Sequence, residues 1–196
     1  MNALVINIPR NTHAKKYHVL ITKAAEFYIK ALFRNKDFNG NINITILVKV
    51  GHKKKIGHGE ISVVPIEHKR QNVTDFDLML RNTHINAMLR TLAHECTHIM
   101  QFCTKKLAYI QKGNNTYVCW DKQDIPFFTL ETLNETKKLY RKLPWEIEAG
   151  ASEKKLYKMF SHYALQMLKQ FLTKKQYVRA SRKRFVALNE LFNKRN

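Results

Sequence analysis

An α+β fold in one domain is what this sequence predicts, and three observations carry that expectation. A helical apolar stripe (Leu20, Ala24, Phe27, Ala31) opens the chain. A segment with period two follows, in which Ile42, Ile44, Ile46 and Val48 alternate with polar or smaller residues. Long helical patterns then return toward the carboxyl end. The 196 residues are 44% hydrophobic, enough for one ordinary core spanning 1–196.

The elements read in order as follows. Thr12 can cap a helix that runs to Phe33. Asp37–Asn43, with Gly40, is a turn. Ile42–Val50 is a strand, Gly51–Gly59 a hairpin connection, and Glu60–Ile66 a second strand closed by Pro65. These two strands are expected to be antiparallel neighbours. His68–Arg81 is polar and receives no assignment. A second helix covers Thr83–Lys105. Leu107–Asp121 forms a hairpin around Gly113-Asn114-Asn115. Asp121–Lys142 is mixed, with a short helix at Leu130–Tyr140. Pro144 suits the first position of a long helix reaching about Leu172. A last basic helix covers Gln176–Phe192, making 173–196 a basic helical extension.

Composition narrows the classes. The odd number of cysteines, three, and the lack of a CxxC pair argue against a disulfide framework or a four-Cys zinc ribbon. Cys96 and Cys103 read as small buried apolar residues, which suits a reducing compartment. The first residues lack the basic start and long apolar run of a secretory signal. No apolar run approaches the ~20 residues that span a bilayer. The expected place is the cytoplasm, without membrane contact. For a viral gene that becomes the host-cell cytoplasm or the virion.

Residues 94–98 read His-Glu-Cys-Thr-His, an HExxH motif. Two His four apart on a helix project from one face and can share one ion, for which Zn²⁺ suits imidazole nitrogen. Glu95 is then placed to act as general base. Chance placement gives roughly 0.02 such motifs in a chain of this composition. The helix context adds weight. Ile85, Met88, Leu89, Leu92, Cys96, Ile99 and Cys103 gather on one apolar stripe, whereas His94 and His98 fall opposite it, with Ala87, Thr91 and Gln101.

A third ligand should come from another element, and Glu146 and Glu148 are the candidates. They lie about 200° apart on a helix, so one ion cannot easily take both. Glu146 shares its face with Ala149, Gly150, Glu153, Tyr157, Phe160, Ala164, Leu168 and Phe171, which reads as the inward face. Glu148 shares its side with Lys155, His162 and Gln166, which reads as the solvent side. Glu146 is the expected ligand, and Glu148→Ala should leave zinc binding untouched. Small Ala149 and Gly150 would let two helices approach closely.

HExxH followed some fifty residues later by Glu-x-x-Ala resembles the gluzincin metallopeptidases. The resemblance covers about Ile42–Ala164. It implies a zincin-like domain in which an antiparallel sheet packs on the HExxH helix, followed by a third-ligand helix. It also implies Zn²⁺ held by His94, His98 and Glu146, with Glu95 as general base for peptide-bond hydrolysis by metal-activated water. Thr91-Leu-Ala-His-Glu, Gln101 and Pro-Trp-Glu-Ile-Glu-Ala are similar to small phage and bacterial metallopeptidases. Proteases of the ImmA/IrrE type use a comparable Glu-x-x-Ala-Asn segment. Gly150 replaces that Asn here, so a supporting contact to a His ligand is missing or supplied elsewhere. SprT-like proteases share the layout and associate with DNA, but their third ligand is a His. Only His162 follows His98 in this chain, on the expected outer face, so this alternative ranks lower.

Tyr140 and Tyr157 are candidates for donating to an oxyanion, although core packing is the plainer role for either. The strand edge at Gly57–Val64 is a candidate for binding a protein or peptide substrate by strand addition.

Charge adds a further thread. Lys+Arg total 35 against 15 Asp+Glu, a formal net charge of +20. From Lys154 to Asn196 there are twelve Lys/Arg and one acid, Glu190. Lys174, Lys175, Arg179, Arg182, Lys183 and Arg184 cluster, with Tyr177 and Phe185 interleaved either for base stacking or for the core. Contact with nucleic acid or another polyanion is one reading, and a solvated surface is the other. Three functions therefore compete: a zinc endopeptidase, a nucleic-acid-associated protein with a structural zinc, and an interaction protein with an inactive site. Glu95 favours the first, because a structural site needs no general base.

Overall fold

Isoleucine alternation builds the first sheet. In β2 (Asn41–Val50) Ile42, Ile44, Ile46 and Val48 are buried while the residues between them face outward. The computed structural model describes residues 1, 3–9, 16–34, 38–50, 60–62, 74–82, 84–112, 115–129 and 140–194. Within these the elements are β1 (Ala3–Asn7), α1 (His18–Phe33), β2, β3 (Glu60–Ser62), β4 (Asp75–Asn82) and α2 (Ile85–Cys103). Then follow β5 (Leu107–Lys112), β6 (Asn115–Trp120), β7 (Gln123–Thr129), α3 (Pro144–Phe171), α4 (Lys174–Ser181) and α5 (Arg184–Asn193). The chain is a mixed α+β fold. Among the described residues no helix is long and apolar enough to cross a membrane.

The first sheet corrects the expected antiparallel one. Its order is β1-β2-β4-β3, with β1, β2 and β4 mutually parallel and only β3 antiparallel to β4. β2 and β3 are not neighbours, because β4 lies between them. That strand comes from the segment left unassigned. Phe76, Leu78 and Leu80 are buried and alternate with Asp75, Asp77 and Met79. β1 and β2 pair through the α1 crossover, which parallel strands require. Thr12 is not the cap of this helix: α1 begins at His18, with Tyr17 at its N-cap and no side-chain capping bond. The connection 51–59, Pro65 and the helix at 130–139 lie outside the described residues.

The hairpin at Leu107–Asp121 forms as β5 and β6, and β7 extends it to a second, antiparallel sheet. Asp121 and Lys122 both take positive φ, 49° and 68°, the requirement of a two-residue type I′ turn between β6 and β7.

The single basic carboxyl-terminal helix is in fact two. The chain breaks at Arg182-Lys183, and α5 then turns Phe185 and Leu188 into the core. Phe185 stacks on Phe160 at 5.8 Å and 7°, so it serves packing and not base stacking. Phe27 and Tyr28 of α1 close the same aromatic cluster, at 5.4 and 5.5 Å from Phe160. The inward face expected for α3 is observed at Glu146, Ala149, Phe160, Ala164 and Leu168, whereas Phe171 is exposed.

Gly150 is not what allows α3 to approach α2. A methyl group at that position would meet no atom within 4 Å. Glycine inside a helix costs about 0.8–1.0 kcal/mol relative to alanine. Gly150→Ala is therefore expected to stabilise the fold by about that amount, read as a higher denaturant midpoint with an unchanged slope. A lower midpoint would show that the position is constrained after all.

Candidate metal centre

α2 is buried on two sides, and this places the motif. Met88, Leu89, Leu92, Cys96 and Ile99 fill the core, as their stripe requires. The opposite side meets α3, whose first turn brings Glu146 over His94 and His98. Glu146 Oε2 lies 3.2 Å from His94 Nε2, Glu146 Oε1 lies 3.0 Å from His98 Nε2, and the two Nε2 atoms are 3.1 Å apart. The three expected ligands thus come together, with one donor atom from each within 4.8 Å of the others. His98 and Glu146 are buried, and His94 keeps 21% of its side chain exposed, so the centre opens on the His94 side.

Hydrogen bonding fixes which nitrogen of His98 faces inward. Gln101 Nε2 donates to the Trp145 carbonyl at 3.1 Å and to Glu148 Oε2 at 2.9 Å. Both partners accept only, so the Gln101 amide has one orientation. Its Oε1 then sits 2.8 Å from His98 Nδ1, which must carry the hydrogen. In neutral His98 the lone pair of Nε2 therefore points at Glu146 and His94. Glu146 Oε1 accordingly lacks a hydrogen-bond donor although it is buried. Converging lone pairs repel unless a proton or a cation lies among them.

The electrostatics agree. Burial alone would raise the Glu146 carboxyl, but the two imidazoles hold it well below the ordinary carboxylate range. Burial alone would lower His98, but hydrogen bonding to Glu146, the charge of buried Glu95 and Gln101 together raise it. Two imidazoles and a carboxylate are a fitting donor set for zinc.

The supporting network was misread from the sequence at Glu148. That residue is half-buried, not on the solvent side, and its Oε1 accepts from Lys106 Nζ at 2.8 Å. Lys106 is placed by the end of α2. Its N–H bonds to the Gln101 carbonyl at 2.9 Å and that of Lys105 to the Phe102 carbonyl at 3.0 Å, with Lys105 at φ 58°. This is a Schellman ending with lysine where glycine is usual. The Lys106 ammonium also lies 4.8 Å over the Trp120 ring, and Trp120 packs on Trp145 at 6.0 Å. A chain of contacts thus runs from Lys106 through Glu148 and Gln101 to His98. The contact that Gly150 cannot make to a histidine is supplied by Gln101 on His98, and Glu153 Oε2 stands 3.8 Å from His94 Nδ1.

Gln101→Leu should weaken zinc binding by roughly 10- to 100-fold, the usual cost of losing such support. Glu148→Ala should do so more mildly, in contrast to the expectation from sequence. Competition with a chromophoric chelator measures both, and wild-type affinity in Gln101→Leu would show that the network is incidental.

Of the two candidate tyrosines only Tyr140 stands near the centre, where burial and then the Glu146 carboxylate raise its phenol. Tyr157 lies elsewhere, under the Arg90 guanidinium at 4.8 Å and against Phe185 at 5.7 Å. Tyr109 of β5 was missed. Burial, then the Glu146 and Glu95 carboxylates, push its phenol up to about 12. The same causes push Tyr140 far up, so both stay protonated donors at neutral pH. No local pattern marked Tyr109, since only the packing of β5 on α2 brings it near, its ring 5.1 Å from Phe102. His162 is exposed, beside Gln166, as expected. Of the expected substrate-binding edge, Glu60–Ser62 is the edge strand β3, while 57–59 and 63–64 lie outside the described residues.

No family model, curated protein or solved structure matches this chain.

Proposed function

We propose that the chain is a zinc-dependent metallopeptidase of the gluzincin type, with a zincin-like arrangement of its HExxH and third-ligand helices. One observation carries this reading: two imidazoles on one helix and a carboxylate on another converge with their lone pairs facing one another. His94, His98 and Glu146 would hold the ion. Bound there, zinc would supply Lewis acidity, making water a better nucleophile and polarising a peptide carbonyl. Glu95, buried beside His98, would take the proton from the attacking water and pass it to the leaving nitrogen. Tyr140 and Tyr109 are protonated donors that can stabilise an oxyanion. The edge strand β3 offers backbone groups to an extended substrate peptide.

Two features favour a catalytic over a structural centre. Among the described residues the group has three members, not the four of most structural zinc sites. It is also partly open, at His94. The carboxylate as third ligand favours the gluzincin over the SprT-like arrangement. The test is metal analysis together with cleavage of an unfolded polypeptide. Purified protein should carry one zinc, lose activity to a chelator and regain it with zinc. A protein that binds zinc at full stoichiometry yet cleaves none of a varied peptide library would overturn the enzymatic reading.

A further inference from the structure

We propose that the outer face of α3 and the exposed side of α4 form one nucleic-acid-binding surface that grips phosphate backbone without reading base sequence. The observation is a basic stripe free of acids. Residues 154–189 contain ten Lys/Arg and no Asp or Glu. On α3, Lys154, Lys155, Lys158, His162 and Lys169 are all exposed, and at 100° per residue they fall within a 100° arc. On α4, Lys175, Arg179 and Arg182 share a second exposed face. Among the described residues none of the ten lysines and arginines takes part in an ion pair.

Only three of the ten gain from the fold itself: Lys169 and Arg179 lie in the last turns of α3 and α4, where the helix dipole favours cations, and Arg184 lies 5.4 Å over the Phe185 ring. α4 buries none of its residues, and its first turn carries Lys174 and Lys175 with no acid. Cations at a helix amino terminus oppose the helix dipole. Unpaired like charges also repel one another, which costs stability in the free protein. A bound polyanion relieves both.

Geometry favours nucleic acid among polyanions. Lys154 to Lys169 spans about 22 Å of helix. That matches six or seven phosphates along a duplex strand, at about 3.4 Å of axis per base pair. A membrane-surface helix needs a bulky apolar face beside its charges. On α3 that face is spent on the core through Phe160, Ala164 and Leu168, and Leu165 within the stripe is half-buried. Of the exposed bulky apolar residues, Met159 and Phe171 lie outside the arc, Ile147 shares its angle but stands about two turns before Lys154, and Val178 is on α4. Glu146 points about 130° away from the centre of the stripe. Nucleic acid held there would leave the metal centre open, and the inference stands whether or not the centre is hydrolytic.

Fluorescence anisotropy tests it, with a duplex and a single strand of about 20 nucleotides. Affinity should fall by about 10³-fold between about 50 and 200 mM salt, the behaviour of some six phosphate contacts. Two triple variants should each reduce the salt slope by about 3: Lys155→Gln/Lys158→Gln/Lys169→Gln and Lys175→Gln/Arg179→Gln/Arg182→Gln. The altered residues are exposed, so unchanged melting curves will show both variants folded. The duplex and single-strand arms identify which form is held, and Glu95→Gln should bind as wild type does. Three results would overturn the proposal: no binding to either nucleic acid at low salt, slopes unmoved in both triple variants, or tighter binding to phosphatidylserine vesicles or polyglutamate under the same conditions.

Discussion

Glu95→Gln should lower peptide-bond hydrolysis by about 10²- to 10⁴-fold while leaving one zinc per chain. The substitution keeps the size and hydrogen-bonding reach of the side chain and removes its basicity. Glu95 is not among the three residues whose donor atoms converge, so metal content should not change. It is buried, and its charge helps to raise His98, so a modest change in zinc affinity is expected as well. The paired measurement is zinc content and initial cleavage rate for both proteins. Equal rates would remove Glu95 as the base and leave the hydrolytic reading without its proton carrier.

Glu146→Ala should weaken zinc binding by more than the roughly 10- to 100-fold that loss of a supporting residue costs. This change takes away the proposed third ligand, and with it the negative charge that faces both imidazoles at 3.2 and 3.0 Å. Chelator competition gives the affinity, and a melting curve establishes that the variant is folded. Zinc bound as tightly as in wild type would exclude Glu146 as a ligand.

The pH dependence of wild-type zinc binding follows from the same contacts. His98 holds its proton to a higher pH than an ordinary imidazole, because of Glu146, Glu95 and Gln101. Zinc must displace that proton, so affinity should weaken as pH falls toward and below the raised His98 value. In Glu146→Ala the main cause of the raised value is gone, and the weakening should begin at lower pH. Titration calorimetry in buffers of different ionisation enthalpy counts the protons released.

The two helices at the centre were legible in the sequence for one reason. Helical periodicity acts over four residues, so HExxH with an apolar stripe opposite it fixes both the face and the spacing of His94, His98 and Glu95. The same logic chose Glu146 over Glu148 as the residue that meets the histidines. β2 and the β5–β6 hairpin were equally local. β4 carried the same kind of local signal, since Phe76, Leu78 and Leu80 alternate with polar or smaller residues, but the polar character of the segment, with its two aspartates, left it without an assignment. β7 escaped because its turn is Asp121-Lys122, without the glycine that usually marks positive φ.

Sheet order was of another kind. Insertion of β4 between β2 and β3 depends on which strand edges meet once the helices are packed, and neighbouring residues carry no trace of it. Glu148 shows the same limit inside the site. Its angular position on α3 suggested solvent, yet the Schellman turn after α2 brings Lys106 to it and Gln101 binds it from the side. Tyr109 reaches the centre only through the packing of β5. The sequence alone therefore determined the convergent donor set and the run of cations without acids, because periodicity and composition are properties of short segments. Only the tertiary structure decided the sheet topology, the amide that orients His98 and the approach of Lys106 and Tyr109 to the site, because each depends on residues that meet from distant parts of the chain.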